Sequence, residues 1–281
     1  MDYYYLLLSI LGESGAHIFD RLNFKKTKIG VRPLLLLGFI CMAICLVPYA
    51  LLSHQPTPTI TTTSIVLISA IIGVSFIANV FDALSLKADN LALREPLLDF
   101  YPILAGFMGY VFFPEERSLV TLIAFAAGAL VMEWGMHRLK MRSLQRKGIV
   151  YLILSVCFYA ILPTLYHYAL EYFSPAYITA IRVLGIILLV SFFMRPKSPR
   201  GFTVKRIGYC LASGICASVS AIAGLYAIQT YGVVTTMLFL MLAPALRYLA
   251  SQYILGETVK KVEIISSLIL TLIVALATLA N

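Results

Sequence analysis

Apolar stretches of about 20 residues recur along the whole chain and are separated by short polar connections. Each stretch is long enough to cross the hydrocarbon core of a bilayer, about 30 Å thick, as a helix. The predicted spans are 3–20, 32–53, 62–86, 91–113, 119–137, 148–170, 175–194, 206–228, 233–255 and 262–280. With 60% hydrophobic and 12% charged residues, the chain lies outside the range of soluble domains. The sequence therefore predicts an all-α, multi-pass membrane protein with ten helices.

Lysine and arginine are distributed very unevenly. All of them except Arg117, Arg182 and Arg247 lie in or beside the connections that follow spans one, three, five, seven and nine. Because cytoplasmic loops of membrane proteins are enriched in Lys and Arg, this side is predicted to be cytoplasmic, which places both chain ends outside the plasma membrane. The net charge of +9 is thus explained by topology, and no nucleic-acid partner is predicted.

The chain also contains an internal repeat. The segment YPILAGFMGYVFFPEERS aligns with APALRYLASQYILGETVK, so that Pro102 pairs with Pro244 and Glu115 with Glu257 at the same offset. The repeat divides the chain into two five-helix halves, 1–142 and 147–281. Because each half has an odd number of spans, the halves have opposite orientations. Inverted repeats are typical of secondary transporters, in which the substrate site lies near the bilayer midplane between the halves.

Acidic side chains inside the predicted spans are the first candidates for that site. A charge at the centre of a membrane helix costs about 2.5–3.5 kcal/mol, so it needs a partner or a wet cavity. Glu13 and His17 stand four residues apart, as do Glu95 and Asp99, so each pair lies on one helical face. Such groups are suited to proton exchange or to the capture of a cation.

Basic and aromatic side chains complete the set of candidates. Arg182 is expected either to reach outward to the membrane surface or to neutralise an acid, and Arg247 to meet an anionic group of the substrate. Tyr159, Tyr166 and Tyr226 are expected to line the cavity and to offer aromatic faces to a cation.

Several of these residues also have a purely structural interpretation. His17 and His167 are either proton carriers or partners in structural hydrogen bonds. For Asp20, Asp82 and Glu133 the sequence favours salt bridges near the ends of the spans.

The order of these features resembles the drug/metabolite transporter superfamily, in particular its ten-helix exporters with two EamA-type repeats. The resemblance covers the whole chain: a proline in the fourth helix of each half, the acids of PEE and GET that end it, the arginine of AIRVLG, and a helix of small residues before TYGVV. It implies a membrane transporter that works by alternating access. It also implies cytoplasmic chain ends, whereas the charge distribution places them outside, so the orientation stays open.

The first helix adds a second resemblance. The segment ILGESGAHIFDRL is similar to the first helix of the small multidrug resistance proteins, in which one membrane glutamate binds protons and cationic substrate alternately and a basic residue follows eight positions later, as Arg21 follows Glu13. This implies that Glu13 is the coupling or binding residue. Aligning Ser9 with Ser155 places Tyr159 opposite Glu13 in the second half, which implies a single, asymmetric site.

The predicted function is secondary active transport of a small polar metabolite, an amino acid or an organic cation, coupled to H⁺, another ion or a gradient. The alternative is a proton-coupled exporter of drugs or toxic cations. A membrane enzyme would need converging nucleophiles or metal ligands, which the sequence does not show, and a scaffold would not need acids in the membrane. Without a Gly-rich phosphate-binding loop, no cofactor is expected. The expected partners are the substrate, the lipid bilayer and a coupling ion, with the protein a monomer or homodimer.

Overall fold

The computed structural model describes residues 3–25, 31–53, 55–88, 97–138, 146–194, 203–255 and 261–280. Within these ranges the chain forms ten α-helices and no strand, which confirms the predicted all-α fold. The helices are α1 Tyr4–Lys25, α2 Val31–Leu52, α3 Thr62–Ala88, α4 Tyr101–Phe112, α5 Leu119–Arg138, α6 Arg146–Ala169, α7 Pro175–Leu189, α8 Val204–Leu240, α9 Ala243–Leu255 and α10 Lys261–Ala280. A 3₁₀ turn, Pro114–Glu116, joins α4 to α5.

The apolar character of these helices fits a bilayer. By length and composition, five of the described helices can cross a membrane, and three shorter ones are also apolar. Large side chains are exposed on outer faces, among them Leu130, Leu188 and Leu268, of which Leu188 is 70% exposed. Exposed apolar surface of this extent would be unfavourable in water but is compatible with lipid. The chain is a multi-pass membrane protein.

Helix packing shows the two-fold relation expected of an inverted repeat. α1 packs against α8 as α6 packs against α3, and α4 packs against α6 as α9 packs against α1. If each helix of the first five is replaced by its counterpart in the last five, and the reverse, the α1–α8 contact becomes the α6–α3 contact, and the α4–α6 contact becomes the α9–α1 contact. Because α6 is the fifth helix after α1, the two run in opposite directions. The predicted boundary near residues 142–147 lies mostly outside the described residues and stays a prediction.

The fourth and ninth predicted spans are both interrupted, although the sequence predicted continuous helices. Pro102 is the second residue of α4 and Pro244 the second residue of α9, and each helix follows a two-residue turn that begins at Asp99 or Met241. Proline lacks an N–H and its ring clashes with the preceding helical turn, so a helix can start there but cannot easily run through it. The same break thus recurs at equivalent places of the repeat.

Close contact between α1 and α8 fixes the centre of the bundle. A Cβ atom on Gly12 would lie 2.7 Å from the carbonyl oxygen of Cys216 and from the amide nitrogen of Ser220. The small residues of α8 therefore allow the two backbones to touch, as in other membrane helix pairs. Because α1 is central, its polar side chains can face the interior of the bundle rather than lipid.

Candidate functional site

A cavity of about 430 Å³ lies between the two sets of five helices. Its walls come from α1, α2, α3 and α4 on one side and from α6, α7, α8 and α9 on the other. The charged side chains that line it are Glu13, Asp20, Asp82, Asp99, Arg182 and Arg247, and His17 lies beside them. The structure thus brings most of the predicted site residues to one place.

Glu13 lies in the middle of α1 and is half-buried. The hydroxyl of Tyr101, at the start of α4, lies 3.4 Å from each of its carboxylate oxygens and donates to them. The ring of Tyr101 lies 6.3 Å from that of Tyr159, centroid to centroid. Tyr159, predicted to stand opposite Glu13, therefore belongs to the same part of the cavity wall.

Asp99 and Arg247 form a buried ion pair. Arg247 Nη2 donates to Asp99 Oδ1, and the two residues are 4% and 6% exposed. The pair joins the turn before α4 to α9, and so connects the two interrupted elements. Arg247, which was predicted to meet an anionic group of the substrate, is instead held by a carboxylate of the protein.

Arg182 has a different environment. Its Nη1 donates to the hydroxyl of Tyr166 over 2.6 Å, and its guanidinium carbon lies 5.8 Å from the centre of the same ring. Its Nε is buried and has no hydrogen-bond partner within the described part of the chain. Neither of the two predicted roles, neutralising an acid or reaching outward, matches this geometry, because Arg182 lines the cavity beside a tyrosine.

Two acids that the sequence assigned to salt bridges also line the cavity. Asp20 is exposed and accepts a hydrogen bond of 2.7 Å from Ser213 Oγ on α8. Asp82 lies on α3, three residues after Asn79, which also lines the cavity. The spacing of these residues could have predicted that Asp20 belongs to the site. Asp20 follows His17 by three residues and Glu13 by seven, so all three share one face of α1. The cavity therefore extends to the end of the bundle where α1 ends, called here the basic end after Arg21 and Arg32.

Three predicted residues are not placed in the cavity. Glu95 lies outside the described residues. Tyr226 stacks on Tyr5 with ring centroids 5.0 Å apart and accepts a hydrogen bond of 3.1 Å from Gln55. His167 packs its ring on Phe113 with the centroids 4.2 Å apart. Tyr226 and His167 belong to the end opposite the basic end.

That opposite end is held together by Glu116, which the sequence did not single out. Its two carboxylate oxygens accept hydrogen bonds from the backbone N–H groups of Val233, at 3.0 Å, and Val234, at 2.6 Å. These donors follow Gly232, where α8 changes direction with a φ of 84°. The first N–H groups of a helical segment have no partner within it, so a carboxylate there is favourable. His167 Nδ1 lies 4.0 Å from Glu116 Oε1.

Gly232 is required at this junction for two reasons. A φ of 84° is in the left-handed region, which a residue with a Cβ adopts only at a cost. A Cβ would also lie 2.6 and 2.7 Å from the two carboxylate oxygens of Glu116. Glu116 and Gly232 together therefore form a contact between the α4–α5 connection and α8, here called the Glu116 clasp.

Aromatic rings close the same end of the bundle. The ring of Tyr3 stacks on Phe239 and on Tyr231, with centroids 5.3 and 6.1 Å apart. These contacts join the start of α1 to the last turns of α8. The cavity thus extends to the basic end, while the clasp and the ring contacts cover the opposite end.

The Glu116 clasp gives a direct prediction. In Glu116→Gln, the two charge-assisted hydrogen bonds to Val233 and Val234 should weaken by about 1–3 kcal/mol, which corresponds to amide exchange that is roughly fivefold to a hundredfold faster at these residues. Hydrogen–deuterium exchange with mass spectrometry measures this directly. Glu115→Gln is the matched control, because Glu115 is the exposed neighbour. Equal exchange in both variants would show that the clasp does not hold this end.

Comparison with known proteins is informative for the second half. Residues 146–279 match the EamA-like transporter family. A solved crystal structure superposes with a TM-score of 0.78 at 14% identity, covering 98% of this chain and 96% of the other, which shows a shared fold. No curated protein matches the sequence.

Proposed function

We propose that the protein is a secondary active transporter of a small polar metabolite that carries a positively charged group, and the match of residues 146–279 to the EamA-like transporter family supports this. The substrate is an amino acid or an organic cation, and it crosses the membrane by alternating access. The cavity between the two five-helix sets is its binding site.

The observation that carries this proposal is the charge of the cavity wall. Its described lining contains four carboxylates, Glu13, Asp20, Asp82 and Asp99, but only two guanidinium groups. Since Asp99 pairs with one of these, Arg247, the rest of the wall has an excess of acid. A wall of this sign attracts a cation and disfavours an anion. Tyrosine faces beside Glu13 add favourable contact with an ammonium group.

Alternating access is supported by the arrangement around the cavity. The two interrupted elements, before α4 and before α9, both border it. Interrupted helices in corresponding places of the two halves are typical of the binding sites of transporters with inverted repeats. The cavity reaches the basic end and is covered at the other, so a rocking motion that breaks the Glu116 clasp would expose it to the opposite side.

A proton-coupled exporter of toxic cations is the second candidate. Glu13 and His17 favour it, because both line the cavity, one helical turn apart on α1, and both side chains can exchange protons. In such an exporter, proton and substrate would compete for Glu13.

Uptake into proteoliposomes tests the proposed function. Vesicles that contain the purified protein should accumulate radiolabelled basic or neutral amino acids or quaternary amines above protein-free vesicles, and should reject dicarboxylates, because the cavity wall is acidic. Accumulation that requires an imposed pH gradient, and that quaternary amines share, would favour the exporter. Uptake limited to anions would contradict the proposal.

A further inference from the structure

Arg182 stands apart from the acidic character of the cavity. It lines the same space as Glu13, yet its polar contact among the described residues is the neutral hydroxyl of Tyr166. A guanidinium group has five N–H donors. The buried Nε is not satisfied by any acceptor in the part of the chain that the structure describes. A buried donor without an acceptor costs free energy, which an oxyanion placed beside it would recover.

The position of Arg182 relative to Glu13 follows from α6. Tyr159, beside the Glu13–Tyr101 contact, and Tyr166, bound to Arg182, are separated by seven residues of that helix. Seven residues are about two turns, so the two tyrosines share a face and lie on the order of 10 Å apart along the axis. Tyr166 is the nearer of the two to the opposite, covered end. A substrate that enters from the basic end would therefore meet Glu13 first and Arg182 last.

We propose that Arg182 and Tyr166 form an anion subsite, and that the transported molecule is an elongated zwitterion whose ammonium group binds at Glu13 and whose carboxylate binds at Arg182. The proposal rests on the function proposed above and narrows its substrate class. Arginine is suited to this role because its planar guanidinium group binds a carboxylate through two parallel hydrogen bonds. The phenol of Tyr166 holds the guanidinium in place.

Charge separation distinguishes this substrate from a simple amine. Glu13, next to the Tyr101–Tyr159 pair, and Arg182, bound to Tyr166, both line the cavity. We therefore expect the two charges of the ligand to be separated by several bonds, but by less than the distance between Tyr159 and Tyr166. An ω-amino acid with a chain of five or six carbons meets this condition. In a plain α-amino acid the two charges are too close to reach both ends together.

Three probes of equal chain length test the subsite: ω-aminohexanoate, hexylamine and hexanoate, each titrated by calorimetry into the purified protein. We expect ω-aminohexanoate to bind roughly tenfold to a hundredfold more tightly than hexylamine, as charge-assisted hydrogen bonds do. In Arg182→Gln this preference should disappear while hexylamine binds as before. Arg182→Lys, which keeps the charge but not the planar group, should retain part of it.

Hexylamine serves as the internal control for folding, since a misfolded variant would lose this ligand as well. If Arg182→Gln lost both ligands, Arg182→Lys would decide: hexylamine binding with a reduced preference for the zwitterion upholds the subsite, and an unchanged preference overturns it. An unchanged preference for ω-aminohexanoate in Arg182→Gln would overturn the anion subsite but would leave the proposed transport function unaffected. If the wild-type protein bound none of the three probes, the subsite would be overturned, and the uptake assay in proteoliposomes would decide separately on the proposed function.

Discussion

Replacing Glu13 by glutamine is expected to reduce transport at low substrate concentration roughly tenfold to a hundredfold. The carboxylate accepts a hydrogen bond from the Tyr101 hydroxyl and lines the cavity. Glutamine has nearly the same shape but no charge, so the variant loses the charge-assisted contact with the ammonium group of the substrate. This contact is worth about 1.5–3 kcal/mol, which weakens binding roughly tenfold to a hundredfold. Initial rates of uptake into proteoliposomes, together with ligand titration, measure both effects.

Glu133→Gln is the matched control for this experiment. Glu133 lies in α5, is exposed and does not line the cavity, yet the sequence places it inside a span just as it places Glu13. The control should transport at the wild-type rate. Equal loss in both variants would mean that either change damages the fold, and wild-type transport by Glu13→Gln would remove Glu13 from the proposed site.

How much of the site the sequence could predict depends on how local its signals are. Glu13 and His17 were found because a charge in an apolar helix is costly and their four-residue spacing is visible in one segment. Asp20 was missed because it is close to the end of α1, where a salt bridge to the neighbouring Arg21 is the simpler interpretation. Its hydrogen bond to Ser213 joins residues that are 193 positions apart, and a local sequence pattern cannot predict such a contact.

The internal repeat predicted the architecture better than the details. The apolar stretches predicted ten helices, the repeat divided them into two opposed sets, and the recurring prolines mark the places where α4 and α9 begin. The same alignment paired Glu115 with Glu257 and so drew attention to the wrong acid of the PEE segment. Glu116 makes the clasp, because it is the residue that reaches the first N–H groups after Gly232. That choice depends on the three-dimensional fit of two distant segments.

Replacing Asp99 by asparagine is expected to destabilise the whole bundle. Its carboxylate neutralises Arg247, and both residues are almost completely buried. Removing one member of a buried ion pair leaves the other as an uncompensated charge, which costs roughly 3–5 kcal/mol. Since total stabilities are commonly about 5–15 kcal/mol, little folded protein should remain at elevated temperature. Thermal unfolding of the purified protein in detergent measures the loss.

The double variant Asp99→Asn with Arg247→Gln separates this explanation from a simple loss of packing. Removing both charges leaves no buried ion without a partner, so the double variant should be clearly more stable than Asp99→Asn alone, and the coupling energy follows from the complete cycle of single and double variants. Additive losses would instead mean that each side chain contributes independently. Because the pair joins the turn before α4 to α9, recovery would also show that this contact holds the two interrupted elements to each other in the wall of the cavity.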